Sequence, residues 1–319
     1  MSQKVLITGG TGFVGSNLVK RMVSEGFEVH ILTRKTSDRW RIQDVLKSVN
    51  EHHVDLLDQS KLEQNMKRIE PDIIFHLATL GVYGGIHAPE KVVIENNLFG
   101  TINLINACDG IDYKCFINTG SSSEYGPKAV SMKESDVCEP INAYGISKCA
   151  STLYGSFVAK TKDRPIMNFR LFSPFGPFDD NRRLIPYVIS TALQNKPFKL
   201  AKSCSVRDYI YIKDILDLYV KGISLAKNHK GEIFNLGRGT SVRVSDVVDK
   251  VLELTSSSSV VEWNTFCGRD HDCERWEANI EKICHDFKWR PLYDMDKGLE
   301  ETIAWFKNNP QYVKEKYLC

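Results

Sequence analysis

Three glycines near the start of the chain constrain its fold more than any other feature. Gly9, Gly12 and Gly15 lie in TGGTGFVGSNL, directly after the short apolar run Lys4–Thr8. Between a strand and a helix, this spacing allows a tight turn, the close approach of a pyrophosphate, and close packing of the helix on the sheet. The free N–H groups at the start of the helix then point at the phosphates. The segment therefore predicts the first strand, turn and helix of a dinucleotide-binding fold.

Strand and helix signals alternate along the first half of the chain. Helices are predicted directly after the glycines, over 17–24, and over 92–108. The predicted strands are short apolar runs separated by helical segments, at 4–8, 28–33, 72–77 and 114–119. Such alternation indicates a parallel sheet with right-handed crossovers, and continuously apolar strands indicate a sheet covered on both faces. The expected fold class is α/β, a doubly wound parallel sheet of the Rossmann type.

The pattern changes after Pro165. A strand at 166–171 precedes a segment rich in prolines and charges, which includes Arg182 and Arg183. The predicted elements of the second half are helices at 184–194, 244–254 and 298–308 and short strands at 209–212 and near 260–263. We therefore expect a smaller mixed α/β C-terminal substrate domain. The predicted division is a cofactor domain of residues 1–172 with a returning segment at about 206–236, and a substrate domain of residues 173–205 and 237–319.

Charge and cysteine content narrow the classes of function. The 319 residues include 42 Lys and Arg against 40 Asp and Glu, a formal net charge of +2, which gives no reason to expect nucleic acid or an anionic membrane as a partner. Nine cysteines form no CxxC pair. We predict no metal site, reduced thiols and a cytoplasmic location, since the chain also starts directly with a strand rather than a signal peptide. No apolar run approaches the roughly 20 residues of a membrane span.

The end of the second predicted strand indicates which dinucleotide is bound. A carboxylate at this position accepts the ribose hydroxyls of NAD, but here Arg34 and Lys35 follow the strand. Cations there suit the 2′-phosphate of NADP. The predicted cofactor is NADP, with NAD and a merely solvated basic turn as alternatives. Asp55, after a third predicted strand, is positioned to hold the adenine amino group.

A second constellation lies further along the chain. Ser121, in the run TGSSSEYG, follows the strand at 114–119, and Tyr144 and Lys148 lie in YGISK. Four residues apart on a helix, the phenol and the ammonium share a face. A phenol has an ordinary pKa near 10, and a neighbouring ammonium lowers it by stabilising the phenolate. With a serine holding the substrate oxygen, the set moves a proton to or from an alcohol while a hydride is exchanged with a nicotinamide.

These motifs resemble the extended short-chain dehydrogenase/reductases, the family of nucleotide-sugar epimerases, dehydratases and reductases. The resemblance spans nearly the whole chain. Besides TGGTGFVG and YGISK it rests on HLAT (76–79), NNLFGT (96–101), RLFSPFGP (170–177), LIP (184–186), RDYIYIKD (207–214), Arg269-Asp270, the run 276–282 and KWRP (288–291). It implies an enzyme that acts on a nucleotide-diphosphate sugar.

The resemblance also implies residue roles. Ser121, Tyr144 and Lys148 would be catalytic, with Lys148 also on the nicotinamide ribose. The implied cofactor-binding residues, besides those already named, are Phe13, Val14, Leu56, Leu77, Ala78, Thr79, Asn97, Thr119 and Phe172. The implied substrate-binding residues are Ser122, Ser123, Ser173, Arg207 and Arg269, the two arginines on the diphosphate. Ser173 departs from the family, which more often has Asn there.

Three reactions share this framework. The 4,6-dehydratases place acidic residues after the catalytic Ser or Thr, where this chain has Ser122 and Ser123. Glu124 comes one residue later, and on a strand that shift turns a side chain to the opposite face. Epimerases of the family use NAD, which the Arg34 signal opposes. We therefore predict an NADPH-dependent 4-ketoreductase, similar to CDP-abequose-synthase-like enzymes, with a 4-epimerase and then a 4,6-dehydratase as alternatives. A non-catalytic NADP sensor is a fourth hypothesis, opposed by the intact catalytic set.

The family resemblance implies an assembly as well. The helices that contain residues 97–107 and 144–159 carry apolar residues on more than one face. In the resembling proteins the corresponding helices pair across a two-fold axis as a four-helix bundle. The expected assembly is a homodimer.

Overall fold

The central element is a seven-stranded parallel sheet. The structure is a computed structural model that describes residues 2–81, 88–201, 204–265 and 276–317. The strand order is β11-β6-β5-β4-β1-β2-β3, and all pairs are parallel. Its strands are β1 (Lys4–Thr8), β2 (Glu28–Thr33), β3 (Val49–His53), β4 (Ile73–His76), β5 (Cys115–Ser121), β6 (Ile166–Leu171) and β11 (Ile233–Leu236). The direction of winding reverses between β1 and β4, which is where open α/β sheets bind their ligands.

The remaining described strands form three two-stranded pairs beside the main sheet. These are β7 (Ser173–Phe175) with β10 (Tyr209–Tyr211), β8 (Phe198–Lys199) with β13 (Val261–Glu262), and β9 (Val206–Arg207) with β12 (Val242–Arg243). The first two pairs are parallel and the third is antiparallel.

Helices cover the strands. They are α1 (Phe13–Ser24), α2 (Gln59–Ile69), α3 (Glu90–Ile94), α4 (Gly100–Ala107), α5 (Ala143–Thr161), α6 (Leu184–Ala192), α7 (Ile212–Leu225), α8 (Val244–Thr255), α9 (Glu281–Asp286), α10 (Met295–Asn308) and α11 (Pro310–Lys316). A π-helical turn, Glu95–Phe99, joins α3 to α4, and 3₁₀ turns form at Trp40–Ile42, Leu46–Ser48 and Ser122–Glu124. Among the helices of the described ranges, none combines the length and apolarity needed to cross a membrane.

The sheet has a hydrophobic core on each face. In β1, Val5 and Ile7 belong to one core cluster, and Leu6, between them, belongs to the other. All three side chains have no exposed surface. Since successive residues of a strand point to opposite faces, this division explains why the strands are continuously apolar. The doubly wound Rossmann-type α/β fold predicted from the sequence is confirmed.

Three predicted helices begin earlier than expected, among them α10, which begins at Met295 rather than at residue 298. Helix α1 begins at Phe13 rather than residue 17, with Gly12 as its N-cap, so that Gly15 lies inside its first turn. Glycine is a poor helix former in general, but here the first helical turn packs on Gly9 of the preceding loop. A Cβ on Gly15 would lie 2.1 Å from the carbonyl oxygen of Gly9. Close packing therefore decided the start of the helix against local propensity.

The helix predicted at 92–108 begins earlier, at Glu90, and is interrupted by the π turn Glu95–Phe99. Asn97 lies in this turn with its side chain buried. The backbone carbonyl oxygen of Asn97 accepts a hydrogen bond from the Thr101 hydroxyl at 2.6 Å. Such π turns often accompany functional sites. This one directs Asn97 toward the segment that follows β4.

Candidate active site

A single cleft of about 1190 Å³ collects most of the predicted site residues. It lies at the carboxyl ends of β1 to β6, where loops follow each strand. The predicted residues that line it are Gly9, Gly12, Phe13, Val14, Gly15, Arg34, Asp55, Leu56, Leu77, Ala78, Thr79, Thr119, Ser121, Ser122, Ser123, Tyr144, Lys148, Phe172, Ser173 and Arg207. Arg269 lies outside the described residues.

The glycine loop forms one wall of the cleft. Gly9 has a φ of +70°, and a Cβ there would lie 2.6 Å from the backbone nitrogen of Ala78. Gly12 caps α1 with extended backbone, so the first N–H groups of α1 face the cleft. Because a side chain at Gly9 or Gly15 would force the loop away from β4 or from α1, these glycines maintain a cradle suited to a pyrophosphate.

A buried polar chain holds the next wall in place. The Thr8 hydroxyl contacts Nδ1 of His76 at 2.7 Å, and Nε2 of His76 contacts the Thr101 hydroxyl at 2.9 Å. The Thr8 oxygen also accepts from the Ala78 backbone N–H at 3.2 Å. Burial, and next the charge of Lys148, lower the pKa of His76 to about 3. The ring is therefore neutral and links β1, β4 and α4 without adding a charge beside the cleft.

Asn97, which the sequence predicts to contact the cofactor, is not among the residues that line the cleft. Its side chain is 1% exposed and forms hydrogen bonds with both the backbone N–H (2.7 Å) and the carbonyl (3.1 Å) of Leu80. It also accepts from the Thr79 hydroxyl at 3.2 Å and donates to that of Ser147 at 3.2 Å. The Asn97 side-chain amide thus links the loop after β4 to α5, on the side of that loop that faces away from the cleft. No local sequence pattern indicated that its side chain would point away from the cleft.

The end of the cleft beside β2 and β3, which we call the adenosine end after the cofactor predicted from the sequence, is lined by Arg34, Arg41 and Asp55. Arg34 is exposed and lines the cleft together with Ser37, whose hydroxyl accepts from the Arg34 backbone N–H at 3.0 Å. Thr33, at the end of β2, is buried and donates to Glu51 at 2.7 Å. Lys35 is also exposed but does not line the cleft. Only one of the two basic residues noted in the sequence therefore lines the cleft.

Ser121, Tyr144 and Lys148 line the middle of the cleft. Ser121 ends β5, while Tyr144 and Lys148 lie one turn apart in α5, whose first turn is capped by Asn142 accepting from the Gly145 N–H at 2.8 Å. Lys148 is 3% exposed, and its Nζ donates to the Thr119 carbonyl at 2.8 Å. Burial lowers the pKa of Lys148 to about 8. The pKa of Lys148 therefore lies nearer to neutral pH than that of an ordinary lysine.

Glu124 lies behind the cleft. The segment after Ser121 is a 3₁₀ turn rather than an extended strand, and Glu124 is fully buried in it. Its carboxylate accepts from Nε of Arg170 at 2.7 Å, from the Ser121 backbone N–H at 2.8 Å and from the Thr152 hydroxyl at 2.9 Å. With both oxygens occupied, Glu124 positions Ser121 and is not available to a substrate. The Glu124 side chain points away from the cleft, as the sequence predicts. The cause is the 3₁₀ turn and the ion pair with Arg170, not the alternation of side chains along a strand.

The other end of the cleft is formed by polar and aromatic side chains. Ser122 is buried, and its hydroxyl accepts from the indole N–H of Trp276 at 2.8 Å. Several charged residues that line the cleft were not assigned to the site from the sequence: Arg41 at the adenosine end, and Asp179, Asp180, Arg182, Arg183 and Lys199 at this end. For residues 179–183 the only sequence signal was the cluster of prolines and charges before α6. Arg182 pairs with Asp180 at 2.6 Å and Arg183 with Asp179 at 3.3 Å, so the cations at this end, which include Arg207, are partly balanced.

The C-terminal helix anchors one of these cationic segments. The Tyr317 hydroxyl donates to the carbonyl of Asp179 at 2.7 Å, and the Asn181 amide donates to the carbonyl of Lys316 at 2.9 Å. Arg41 of the adenosine end donates to the Phe178 carbonyl at 2.8 Å. The two ends of the cleft are therefore connected through residues that are distant in sequence.

The fold and the cleft define a Rossmann-type, nicotinamide-dependent enzyme. Residues 5–237 match the NAD dependent epimerase/dehydratase family, and the chain belongs to that family. The resemblance to extended short-chain dehydrogenase/reductases is thereby confirmed.

Individual relatives are similar over almost their whole length. UDP-glucose 4-epimerase 2 of Arabidopsis thaliana is 26% identical over 341 residues, covering 97% of each chain. The UDP-glucose 4-epimerase structure of Thermotoga maritima, determined with UDP-glucose, has a TM-score of 0.89 at 21% identity and covers 97% of this chain and 100% of its own. A dTDP-glucose 4,6-dehydratase structure of Bacillus anthracis, in complex with NAD, has a TM-score of 0.88 at 22% identity and covers 98% and 99%. At these identities the two structures establish the fold.

The Glu124–Arg170 pair predicts a large stability effect. Glu124→Gln keeps the size and shape of the side chain but leaves Arg170, itself 2% exposed, without its counter-charge. We expect the free energy of unfolding to fall by about 3–5 kcal/mol, because an unpaired buried charge is costly. Asp109→Asn is the matched control, since it breaks the exposed pair with Lys162 and should cost about 1 kcal/mol or less. Urea unfolding measures both, and equal losses would contradict the assignment.

Proposed function

We propose that this protein is an NADPH-dependent reductase of a 4-keto nucleotide-diphosphate sugar. The observation that carries the proposal is the pairing of an Arg34-lined adenosine end with Ser121, Tyr144 and Lys148 in one cleft. A cation where NAD-binding proteins place a carboxylate favours the 2′-phosphate of NADPH. An enzyme that takes its cofactor from an NADPH pool is suited to net reduction.

The residues present fit this cofactor. The cradle at Gly9 and Gly15 would be filled by a Cβ, and the start of α1 faces the space in front of it. Gly12, Phe13 and Val14 would contact the pyrophosphate, Asp55 and Leu56 the adenine, and Lys148 the nicotinamide ribose. Bound NADPH would supply the hydride.

The protein's own contribution is to position and protonate. Tyr144 would donate its proton to the sugar O4 as that oxygen becomes an alkoxide, and the Lys148 ammonium would stabilise the resulting phenolate. Ser121 would hold the same oxygen through its hydroxyl. Its position depends on Glu124, which binds its backbone N–H. The side chains of Phe172 and Ser173 would lie beside the nicotinamide and the sugar.

The cationic end of the cleft would bind the nucleotide diphosphate. Arg207 is the main candidate, together with Arg182, Arg183 and Lys199, which line the same end of the cleft. The family resemblance adds Arg269, which lies outside the described residues. Guanidinium groups bind phosphate oxygens with two hydrogen bonds each, which accounts for an anion site on a protein whose overall charge is nearly balanced. We propose that residues 173–205 and 237–319 form the substrate domain and that 1–172 with 206–236 form the cofactor domain.

A 4,6-dehydratase is disfavoured by the site. Elimination of water from the sugar needs an acid and a base beside its C5 and C6 atoms. Ser122 and Ser123 occupy the positions where related dehydratases carry carboxylates, and the Glu124 carboxylate is bound by Arg170. Ser122 is in turn bound by Trp276.

A 4-epimerase is the second candidate, favoured by the Arabidopsis relative. Epimerisation uses the same proton and hydride transfers in both directions, and the same Ser121, Tyr144 and Lys148 would carry it. The two reactions differ in cofactor balance. A reductase consumes one NADPH per product, whereas an epimerase interconverts two sugars with no net consumption.

The cofactor prediction is tested by titration. Wild type should bind NADPH more tightly than NADH, and Arg34→Ala should lose about 1.5–3 kcal/mol toward NADPH, roughly ten- to a hundred-fold in affinity. Affinity for NADH should change little, because it lacks the phosphate. Lys35→Ala is the matched control: its side chain is exposed but outside the cleft, so the preference should survive. Equal affinities of wild type for the two cofactors would refute the NADPH assignment.

The reaction is tested with nucleotide-diphosphate 4-keto-6-deoxyhexoses and with the corresponding 4-hydroxy sugars. Wild type should oxidise NADPH in proportion to 4-keto sugar consumed. Tyr144→Phe should fold and bind NADPH but lose roughly a hundred- to ten-thousand-fold in turnover, since it lacks the donated proton. Lys148→Met should lose turnover and cofactor affinity, and Ser121→Ala should lose less turnover. Interconversion of 4-hydroxy sugars without NADPH consumption would instead establish the epimerase.

A homodimer is the proposed assembly. Ile146, Leu153 and Phe157 lie on one face of α5 and are 48%, 56% and 57% exposed, and Phe99 of the adjacent π turn is 50% exposed. An apolar face of this size on two adjacent helices suits a second copy of the chain. Sedimentation should give twice the 36.3 kDa protomer mass, and Leu153→Asp should give the protomer. Leu292→Asp, at a 68% exposed position elsewhere, should stay dimeric; a monomeric wild type would contradict the proposal.

A further inference from the structure

Two cysteines lie close together behind the cleft. Cys138 belongs to the loop that leads into α5, and Cys149 directly follows Lys148 in that helix. Both thiols are free and partly exposed. Their sulfur atoms and a carboxylate oxygen of Glu124 all lie within 4.8 Å of one another. Neither cysteine lines the cleft.

The surroundings of the two thiols distinguish between a metal ion and a covalent bond. Nη2 of Arg170 donates a hydrogen bond to the Cys138 sulfur at 3.1 Å, and Nε of Arg170 binds Glu124. A fixed guanidinium opposes a metal cation at this position and occupies the third ligand. The hydrogen bond from the guanidinium instead holds the Cys138 sulfur in place close to that of Cys149. Arg170 thus makes the site suited to thiol exchange rather than to a metal.

The two thiols differ in reactivity. Burial, and next the electrostatic interaction with Cys138, raise the pKa of Cys149 to about 12. The Cys138 sulfur is the one that receives the guanidinium hydrogen bond. Cys138 is therefore the first nucleophile, and Cys149 is the thiol that resolves the mixed disulfide.

We propose that Cys138 and Cys149 form a reversible intramolecular disulfide, with a small-molecule disulfide such as oxidised glutathione as the oxidant. The Cys138 thiolate attacks one sulfur of the oxidant, so that one S–S bond breaks, a mixed disulfide forms and one glutathione thiolate leaves. The Cys149 thiol then loses its proton and attacks the Cys138 sulfur, releasing the second glutathione. The cysteine pair loses two electrons and two protons, and one oxidised glutathione becomes two reduced molecules.

The bond would act on the catalytic residues through the neighbouring contacts. Formation of an S–S bond about 2.05 Å long pulls the loop at Cys138 toward the first turns of α5, which carry Tyr144 and Lys148. It also converts the hydrogen-bond acceptor of Arg170 into a disulfide sulfur. Arg170 in turn binds Glu124, which holds the backbone of Ser121. We expect turnover to fall in the oxidised protein, a consequence that rests on the proposed function.

The experiment uses the whole 319-residue chain in glutathione buffers ranging from reducing to oxidising. Mass spectrometry of peptides should identify a Cys138–Cys149 linkage that dithiothreitol reverses. Cys149→Ser should accumulate glutathione on Cys138, because nothing resolves the mixed disulfide, whereas Cys138→Ser should leave Cys149 unmodified. Cys284→Ser, at another partly exposed cysteine, should form the linkage as wild type does.

The peptide result does not depend on the substrate, so it separates this proposal from the proposed reaction. If both thiols stay reduced or each carries glutathione in the wild type under oxidising conditions, the proposal is overturned. Once a substrate is established, turnover of wild type should fall on oxidation and recover on reduction. Equal inhibition of the Cys138→Ser/Cys149→Ser double variant would overturn the link to catalysis.

Discussion

The contact between the glycine loop and the ends of β1 and β4 is the constraint on which the site depends. Gly9, with a φ of +70°, lies against the backbone at Ala78, and Gly15 lies against Gly9 itself. These approaches leave no room for side chains. They bring the start of α1 to the point where the winding of the sheet reverses, so that free N–H groups face the cleft at its centre. A bulkier residue at either glycine would move α1 and remove the cradle.

Behind that cleft, buried polar groups determine where the reactive groups stand. A neutral His76 joins β1 to the helical segment before α5, and Asn97 joins the loop after β4 to α5. The Glu124 carboxylate, paired with Arg170, holds the backbone of Ser121. Such groups are costly to bury unless each is paired. The hydrogen bonds of His76, Asn97 and Glu124 favour one arrangement of β5 and α5, and therefore one arrangement of Ser121, Tyr144 and Lys148.

Arginines line both ends of the cleft, although the chain as a whole is nearly neutral. The chain has a formal net charge of only +2, yet Arg34 and Arg41 line one end of the cleft and Arg183 and Arg207 line the other. Some of these arginines are balanced locally, as Arg183 is by Asp179 at 3.3 Å. A dinucleotide and a nucleotide sugar both carry phosphates, and two separate cationic ends suit two separate anions.

The sequence by itself determined the sheet, the glycine cradle and the family, because apolar runs, glycine spacing and the YGISK segment are local signals that neighbouring residues express directly. Strands β1, β2 and β6 lie where the apolar runs predicted them. Tertiary structure alone decided the start of α1, the π turn that buries Asn97, and the location of Glu124 behind the cleft. It also brought Trp276 onto Ser122 and Cys138 onto Cys149. These outcomes depend on packing and on partners far apart in the chain, and such energies are absent from any local pattern of residues.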